Sequence, residues 1–468
     1  MLLAEGAALV PCLWIAVFHQ GPDVPAFIWT IALAAAVGLP LALIRADLGD
    51  VGYREGFMVA AIGWVVLAAF GSLPFIFSGV LPNPVDAFFE AMSGFTTTGA
   101  STIADLTPVP YGILFWRSLT HWLGGMGIVV FIVALLPSLK VAGIQLYRAE
   151  VPGPSKIKVV PRVAQTSREL YRVYLLFTLA EILLLRLAGL PWFDSLIHTF
   201  GTVATGGFSN QNASVGAYNN LAVELIIVMF MILCGMSFSL HIRAIKGHYR
   251  AIWQDTELRV YLAIIAVAVA AVTLNLVSSL GLAPAQAARH ALFQVASIIT
   301  TTGFSTVDFN LWPDFSRLIL VLLMFIGGCA GSTGGAIKVV RFIILWKVAI
   351  RQLRRLIHPQ AVLPVRLGGA VIPSEMVDIV QAFFILYLGL FSGSVIIVAA
   401  GGADFLTALT AVAATLGNVG PGLGLVGPMS NFAALPDLAK ALLSFCMLVG
   451  RLELFTVLAL LHPGFWRR

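Results

Sequence analysis

The apolar positions of this chain fall into long unbroken runs, with neither the alternation of strands nor the narrow stripe of a surface helix. Ten runs are long enough for spanning helices: roughly 3–20, 25–44, 56–78, 112–137, 168–189, 219–244, 257–280, 314–350, 372–400 and 434–461. A helix crosses a bilayer with about 20 apolar residues. Four shorter runs, near 84–98, 192–206, 286–302 and 404–419, cannot cross and end in Gly- and Thr-rich sequence. They read as re-entrant helices, because non-helical backbone at membrane depth is tolerated only where protein buries it or water lines it. Alternating ten-residue barrel segments are absent. The expected fold is an all-α polytopic membrane protein.

Composition supports this picture. Of 468 residues, 59% are hydrophobic and 11% charged, where a soluble domain carries roughly a quarter; mean hydropathy is +0.95. Cys12, Cys234, Cys329 and Cys446 lie in apolar runs without a CxxC spacing and read as small buried hydrophobes. The stretch 2–18 lacks a basic leader and reads as a first span.

Charge then orients the spans. The connector 140–172 carries Lys140, Arg148, Lys156, Lys158, Arg162, Arg168 and Arg172, and 338–366 carries Lys338, Arg341, Lys347, Arg351, Arg354, Arg355 and Arg366. The stretches 79–111 and 190–218 have no Lys or Arg, and 281–317 has only Arg289 and Arg317. The positive-inside rule puts the basic connectors and both termini in the cytoplasm, with the re-entrant segments entering from outside.

The short segments repeat. They end as Thr96-Thr97-Thr98-Gly99-Ala100-Ser101, Ala204-Thr205-Gly206-Gly207-Phe208-Ser209, Thr300-Thr301-Thr302-Gly303-Phe304-Ser305 and Gly417-Asn418-Val419-Gly420-Pro421-Gly422. The predicted architecture is four pseudo-symmetric helix–pore loop–helix repeats around one pore, plus two N-terminal helices. The units are 1–50 (appendage), 51–145, 146–250, 251–360 and 361–468. The chemistry suits a dehydrated cation: carbonyls and Thr hydroxyls replace its water, and glycine lets successive carbonyls face one axis. Short helices ending at the pathway aim their negative dipole ends at it. Taken singly, each motif reads better as a small-residue packing face of an ordinary span; four copies on one side reverse that and favour the pore.

On these motifs the chain resembles the TrkH/KtrB/HKT superfamily of potassium transporters, and its two extra N-terminal helices point to the TrkH branch. The resemblance covers essentially the whole chain. It implies K⁺ uptake across a bacterial inner membrane, with K⁺ held by a selectivity filter and no bound cofactor. Gly99, Gly207, Gly303 and Gly420 would be the filter glycines. Thr97, Thr98, Thr205, Gly206, Thr301, Thr302, Asn418 and Val419 would supply neighbouring oxygens. Counting from Asp404 favours Gly417 in the fourth segment; the Asn-Val-Gly form favours Gly420, which we adopt. The resemblance also implies a homodimer and a cytosolic ring of TrkA-type nucleotide-binding subunits. The basic connectors suit either that ring or anionic lipid headgroups.

The eighth run would be about 55 Å long as one helix, against a hydrocarbon core of about 30 Å. Its centre carries Gly327, Gly328, Gly331, Ser332, Thr333, Gly334 and Gly335, and each glycine costs a helix about 1 kcal/mol. A loop at membrane depth is expected, and the resemblance makes it a gate beneath the filter. It is not a Walker A loop, since no Gly-Lys-Ser/Thr follows. Arg451 lies inside the last run, where a charge must face a pathway or a partner. The partner reading is a bridge to Glu453 or another helix; the resemblance favours a pore barrier.

Arg117, Glu181, Arg186 and Glu224 read as snorkelling near helix ends. Asp86, Glu90, Asp194, Asp308 and Asp404 read as a rim that is either solvated or cation-concentrating. His121, His198 and His290 show no metal-ligand spacing. A polytopic membrane enzyme would need clustered carboxylates or histidines, which the sequence does not supply. Gated channel, K⁺/Na⁺ or K⁺/H⁺ symport, and Na⁺ transport on the same fold all remain open.

Overall fold

The structure is a computed structural model and describes residues 1–43, 53–135 and 159–466. The expected boundaries at 50/51 and 145/146, with Lys140, Arg148, Lys156 and Lys158, lie outside the described residues. Helices Leu2–Phe18 and Val24–Leu43 form a hairpin that packs on the helix Tyr111–Leu135.

After this hairpin one pattern recurs four times: outer helix, short helix, inner helix. The outer helices are Tyr53–Gly71 (continued by Leu73–Phe77), Val159–Leu187, Thr256–Leu280 and Ser374–Ala400. The short helices are Pro84–Phe95, Trp192–Val203, Pro284–Ile299 and Phe405–Leu416. Local chemistry starts them. Pro84 and Pro284 open their helices, where a missing N–H is harmless. The Asn83 side chain accepts from Val85 N at 3.0 Å, and Asp404 from Thr407 N at 3.1 Å. From Phe89 to Phe95 the first short helix is wholly buried, so it sits inside the protein.

The third inner helix breaks at its glycine-rich centre as its composition predicts, whereas the second and fourth depart from the expectation of continuous spans. Among the described residues only the first, Tyr111–Leu135, is unbroken; the others are Leu221–Gly235 with Phe238–Ile245, Asp314–Phe325 with Val339–Ile357, and Asp437–Arg451 with Phe455–Leu461. The second bends by 100° at its break. Its cause is a docked loop: Gly235 O accepts from Cys329 N at 2.8 Å and Phe238 N donates to Gly331 O at 3.0 Å, taking that backbone out of the helical ladder. The last breaks at Glu453 and Leu454, both with φ of 57°. Breaks leave the apolar runs continuous, so hydropathy does not see them. By length and composition alone, four described helices are able to cross a membrane: Val24–Leu43, Arg54–Phe77, Thr256–Leu280 and Ser374–Ala400. Counting the bent pair makes five. The described strands are a two-residue antiparallel pair, Arg366–Leu367 with Ala370–Val371, between the helices Val339–Ile357 and Ser374–Ala400.

Candidate functional site

The four short helices hand over to one backbone course. Two residues past their ends, Thr97, Thr205, Thr301 and Asn418 hold φ of 50°, 55°, 58° and 52°. Left-handed backbone at β-branched residues costs on the order of 1–3 kcal/mol each and concentrates at functional sites. The next residues, Thr98, Gly206, Thr302 and Val419, donate to carbonyls five positions back, at 2.9, 2.7, 2.9 and 2.7 Å. Then come Gly99, Gly207, Gly303 and Gly420, with φ of 81°, 80°, 82° and 102°, the region that favours glycine. In backbone geometry Gly420 is the fourth equivalent. Gly417, with φ of −81°, instead ends its helix where Thr96, Ala204 and Thr300 end theirs.

These glycines close a ring. A Cβ on Gly99 would overlap the Gly206 carbonyl oxygen, one on Gly207 that of Thr302, and one on Gly303 that of Val419. A Cβ on Gly420 would lie 2.7 Å from the Thr98 carbonyl oxygen. Each repeat thus abuts the next, and the fourth returns to the first. The four glycines open together onto one cavity of about 130 Å³. Four carbonyl-bearing turns at four helix C-termini give a partly negative, uncharged ring, suited to a cation that must shed water and leave again. Asn418 departs from the Thr pattern usefully: its Nδ2 donates to Thr98 Oγ1 at 2.9 Å and to Met447 O at 3.0 Å, tying the fourth segment to the first.

The glycine-rich stretch of the third repeat is a loop between Phe325 and Val339, closed at its base by a bridge between Ile326 and Ile337. Its C-terminal half lies against the short-helix ends. Gly335 N donates to Thr301 Oγ1 at 2.7 Å, and Thr333 Oγ1 to Val203 O at 3.2 Å. A Cβ on Gly335 would lie 2.5 Å from Gly417 O, and Gly334 sits against Thr300 O. Gly327 packs against the Gly335 carbonyl and Gly328 against that of Gly235. Gly331 turns with φ of 76°, and Ser332 Oγ accepts from Lys338 Nζ at 3.5 Å. From the third outer helix, Glu257 Oε1 accepts both Ala330 N at 2.8 Å and Val340 N at 3.0 Å.

Arg451 ends its helix and is 3% exposed. Its Nη1 donates to Thr333 O at 2.7 Å and its Nη2 to Gly124 O at 3.5 Å. The guanidinium therefore joins the loop to the inner helix of the first repeat. The bridge to Glu453 does not form, because Glu453 pairs with Arg341 across to the third repeat. Among the described residues Arg451 has no carboxylate partner.

Several polar residues are more engaged than their sequence positions imply. Arg117 is 2% exposed and pairs with fully buried Glu90 at 2.7 Å, so neither snorkelling nor a solvated rim describes them. Glu224 pairs with Arg289 at 2.7 Å. Asp86 pairs with Lys440, Asp194 accepts from Asn210 and Tyr218, and Asp308 accepts from Asn310 N. Glu181 is fully buried. The rim carboxylates are thus structural partners and caps. His121, also fully buried, lies beside the second segment; the available signal was its place one turn after Arg117 in an apolar run, where polar residues are costly.

The description "TrkH: Cation transport protein" belongs to the family whose model matches residues 24–463. The Trk system potassium uptake protein TrkH of Salmonella typhimurium is 42% identical over 473 residues, covering 100% of this chain and 97% of that one. TrkG of Escherichia coli, another Trk system potassium uptake protein, is 37% identical, covering 98% and 95%. The crystal structure of the potassium transporter TrkH from Vibrio parahaemolyticus superposes with a TM-score of 0.92 at 38% identity, covering 100% and 97%.

Proposed function

The chain belongs to the TrkH family of cation transport proteins, and from that premise we propose that it takes up K⁺ through the ring formed by its four glycine turns. The observation that carries this reading is the cyclic closure: Gly99 on Gly206, Gly207 on Thr302, Gly303 on Val419 and Gly420 on Thr98. In this reading Thr97, Thr98, Thr205, Gly206, Thr301, Thr302, Asn418 and Val419 bear the oxygens that take the place of water around K⁺. The loop 327–336 is the gate under that ring, and Arg451 is both its tether and a charge barrier to cations. The protein is an ion conductor, not an enzyme.

The same reading divides the chain into a 1–50 appendage and repeats at 51–145, 146–250, 251–360 and 361–468. It places the chain in a bacterial inner membrane with both termini cytoplasmic, as the Lys and Arg distribution favours. It also pairs the chain with a second copy and with a TrkA-type cytosolic ring, through which a nucleotide would act on the gate.

Gly99→Ser tests the ring. The added Cβ meets the Gly206 carbonyl and must displace one quarter of the oxygens, so the uptake ratio of K⁺ to Na⁺ in the purified variant falls. An unchanged ratio in folded protein rejects the assignment.

A further inference from the structure

The first and third segments are pinned from within. Thr96 Oγ1 bonds Thr98 Oγ1 at 2.8 Å, and Thr300 Oγ1 bonds Thr302 Oγ1 at 2.8 Å. The second segment has Ala204 and Gly206 at these positions and cannot make that pair. Its place is taken by two side chains of the first repeat's inner helix, one turn apart. His121 lies where a Gly206 side chain would be, since a Cβ there would come within 2.5 Å of the ring. His121 Nε2 accepts from Phe208 N at 3.1 Å. A backbone N–H only donates, so Nδ1 carries the proton and donates to Gly94 O at 2.8 Å. The His121 ring also stacks on Phe208, with centroids 4.2 Å apart.

Arg117 completes the hold. Its Nη1 donates to Ser209 O at 3.0 Å, its Nη2 to Ser101 Oγ at 3.2 Å, and its guanidinium sits 4.1 Å from the Phe208 ring centroid. Glu90 fixes it from behind and also accepts from Thr102 N at 2.8 Å. Among the described residues, no side chain of the other inner helices makes such a bond to the next repeat's segment.

We propose that His121 and Arg117 are positioning residues for ion discrimination: they set the Gly206 carbonyl in the ring by holding the backbone on its far side, at Phe208 and Ser209. This rests on the ring being the K⁺ filter. The pair bonds the segment of one repeat to the helix of another, so losing it frees the second repeat's oxygens relative to the other three. The ring would then adjust to the smaller Na⁺ as readily as to K⁺.

The test compares K⁺ and Na⁺ uptake per folded protein for His121→Leu, His121→Gln, Arg117→Lys and Gly99→Ser. In His121→Leu the ratio falls about tenfold, the scale of one lost buried hydrogen bond. In His121→Gln the side-chain oxygen accepts from Phe208 N, and the ratio returns most of the way. Arg117→Lys keeps the charge but not the fork to Ser209 and Ser101, and also lowers the ratio. A wild-type ratio in His121→Leu, or a His121→Gln ratio as low as that of His121→Leu, overturns the proposal while Gly99→Ser still shows its loss. Should His121→Leu not fold, a wild-type ratio in Arg117→Lys overturns it equally. Wild-type ratios in all four, Gly99→Ser included, reject the filter itself.

Discussion

Arg451→Gln raises K⁺ current through the purified protein by up to about a thousandfold. A unit charge about 4 Å from a cation at an effective dielectric of about 20 opposes it by about 4 kcal/mol, and that energy acts on K⁺ and Na⁺ alike. The ion preference therefore stays where it was. The stability forecast follows from the missing carboxylate. Breaking a buried ion pair costs about 3–5 kcal/mol because it strands the partner, but among the described residues Arg451 bonds only the carbonyls of Thr333 and Gly124. Glutamine keeps a donor for one of them, so the melting temperature moves little. Single-channel current and thermal unfolding on one preparation check both halves. Unchanged current with a large loss of stability would make Arg451 scaffolding.

Shortening the loop within 327–336 is expected to raise cation flux in the absence of any regulatory partner. The loop is closed at its base, where Gly327 N donates to Ile337 O at 3.0 Å, so residues can leave its tip without separating the helices it joins. A deletion that takes Thr333 to Gly335 removes the loop's contacts to the short-helix ends and to Arg451: Gly335 on Thr301, Thr333 on Val203 and Arg451 on Thr333. Flux assays on folded deletion variants decide the matter. Wild-type or lower flux would remove the loop from the gate.

Much of the architecture is legible in the sequence because it is repetitive. The short apolar runs predict the four buried helices, and the glycines at 99, 207, 303 and 420 mark turns whose backbone angles agree closely. Helix-breaking composition likewise announces the interruption after Phe325. Three things are not legible, each because it depends on contacts between repeats. The bend at Met236 and Ser237 is imposed by a loop about a hundred residues away, through Gly235 and Cys329. Gly206 is expected in the sequence as a residue that supplies an oxygen, but why glycine stands there is visible only with the His121 ring against it. Polar residues near helix ends read as solvated by default, whereas Glu90 and Arg117 are paired inside the protein, since burial of a charge is a property of the neighbours.

Uptake of K⁺, Rb⁺ and Na⁺ into vesicles containing only the purified chain tests the four-turn ring most directly. A gate or a charge barrier scales all three ions together, so their ratio reports the ring alone. K⁺ and Rb⁺, which shed water at less cost than Na⁺, enter at comparable rates, and Na⁺ enters at least about tenfold more slowly, a discrimination of roughly 1.4 kcal/mol. Entry of Na⁺ as fast as K⁺ would contradict a K⁺ filter at Gly99, Gly207, Gly303 and Gly420.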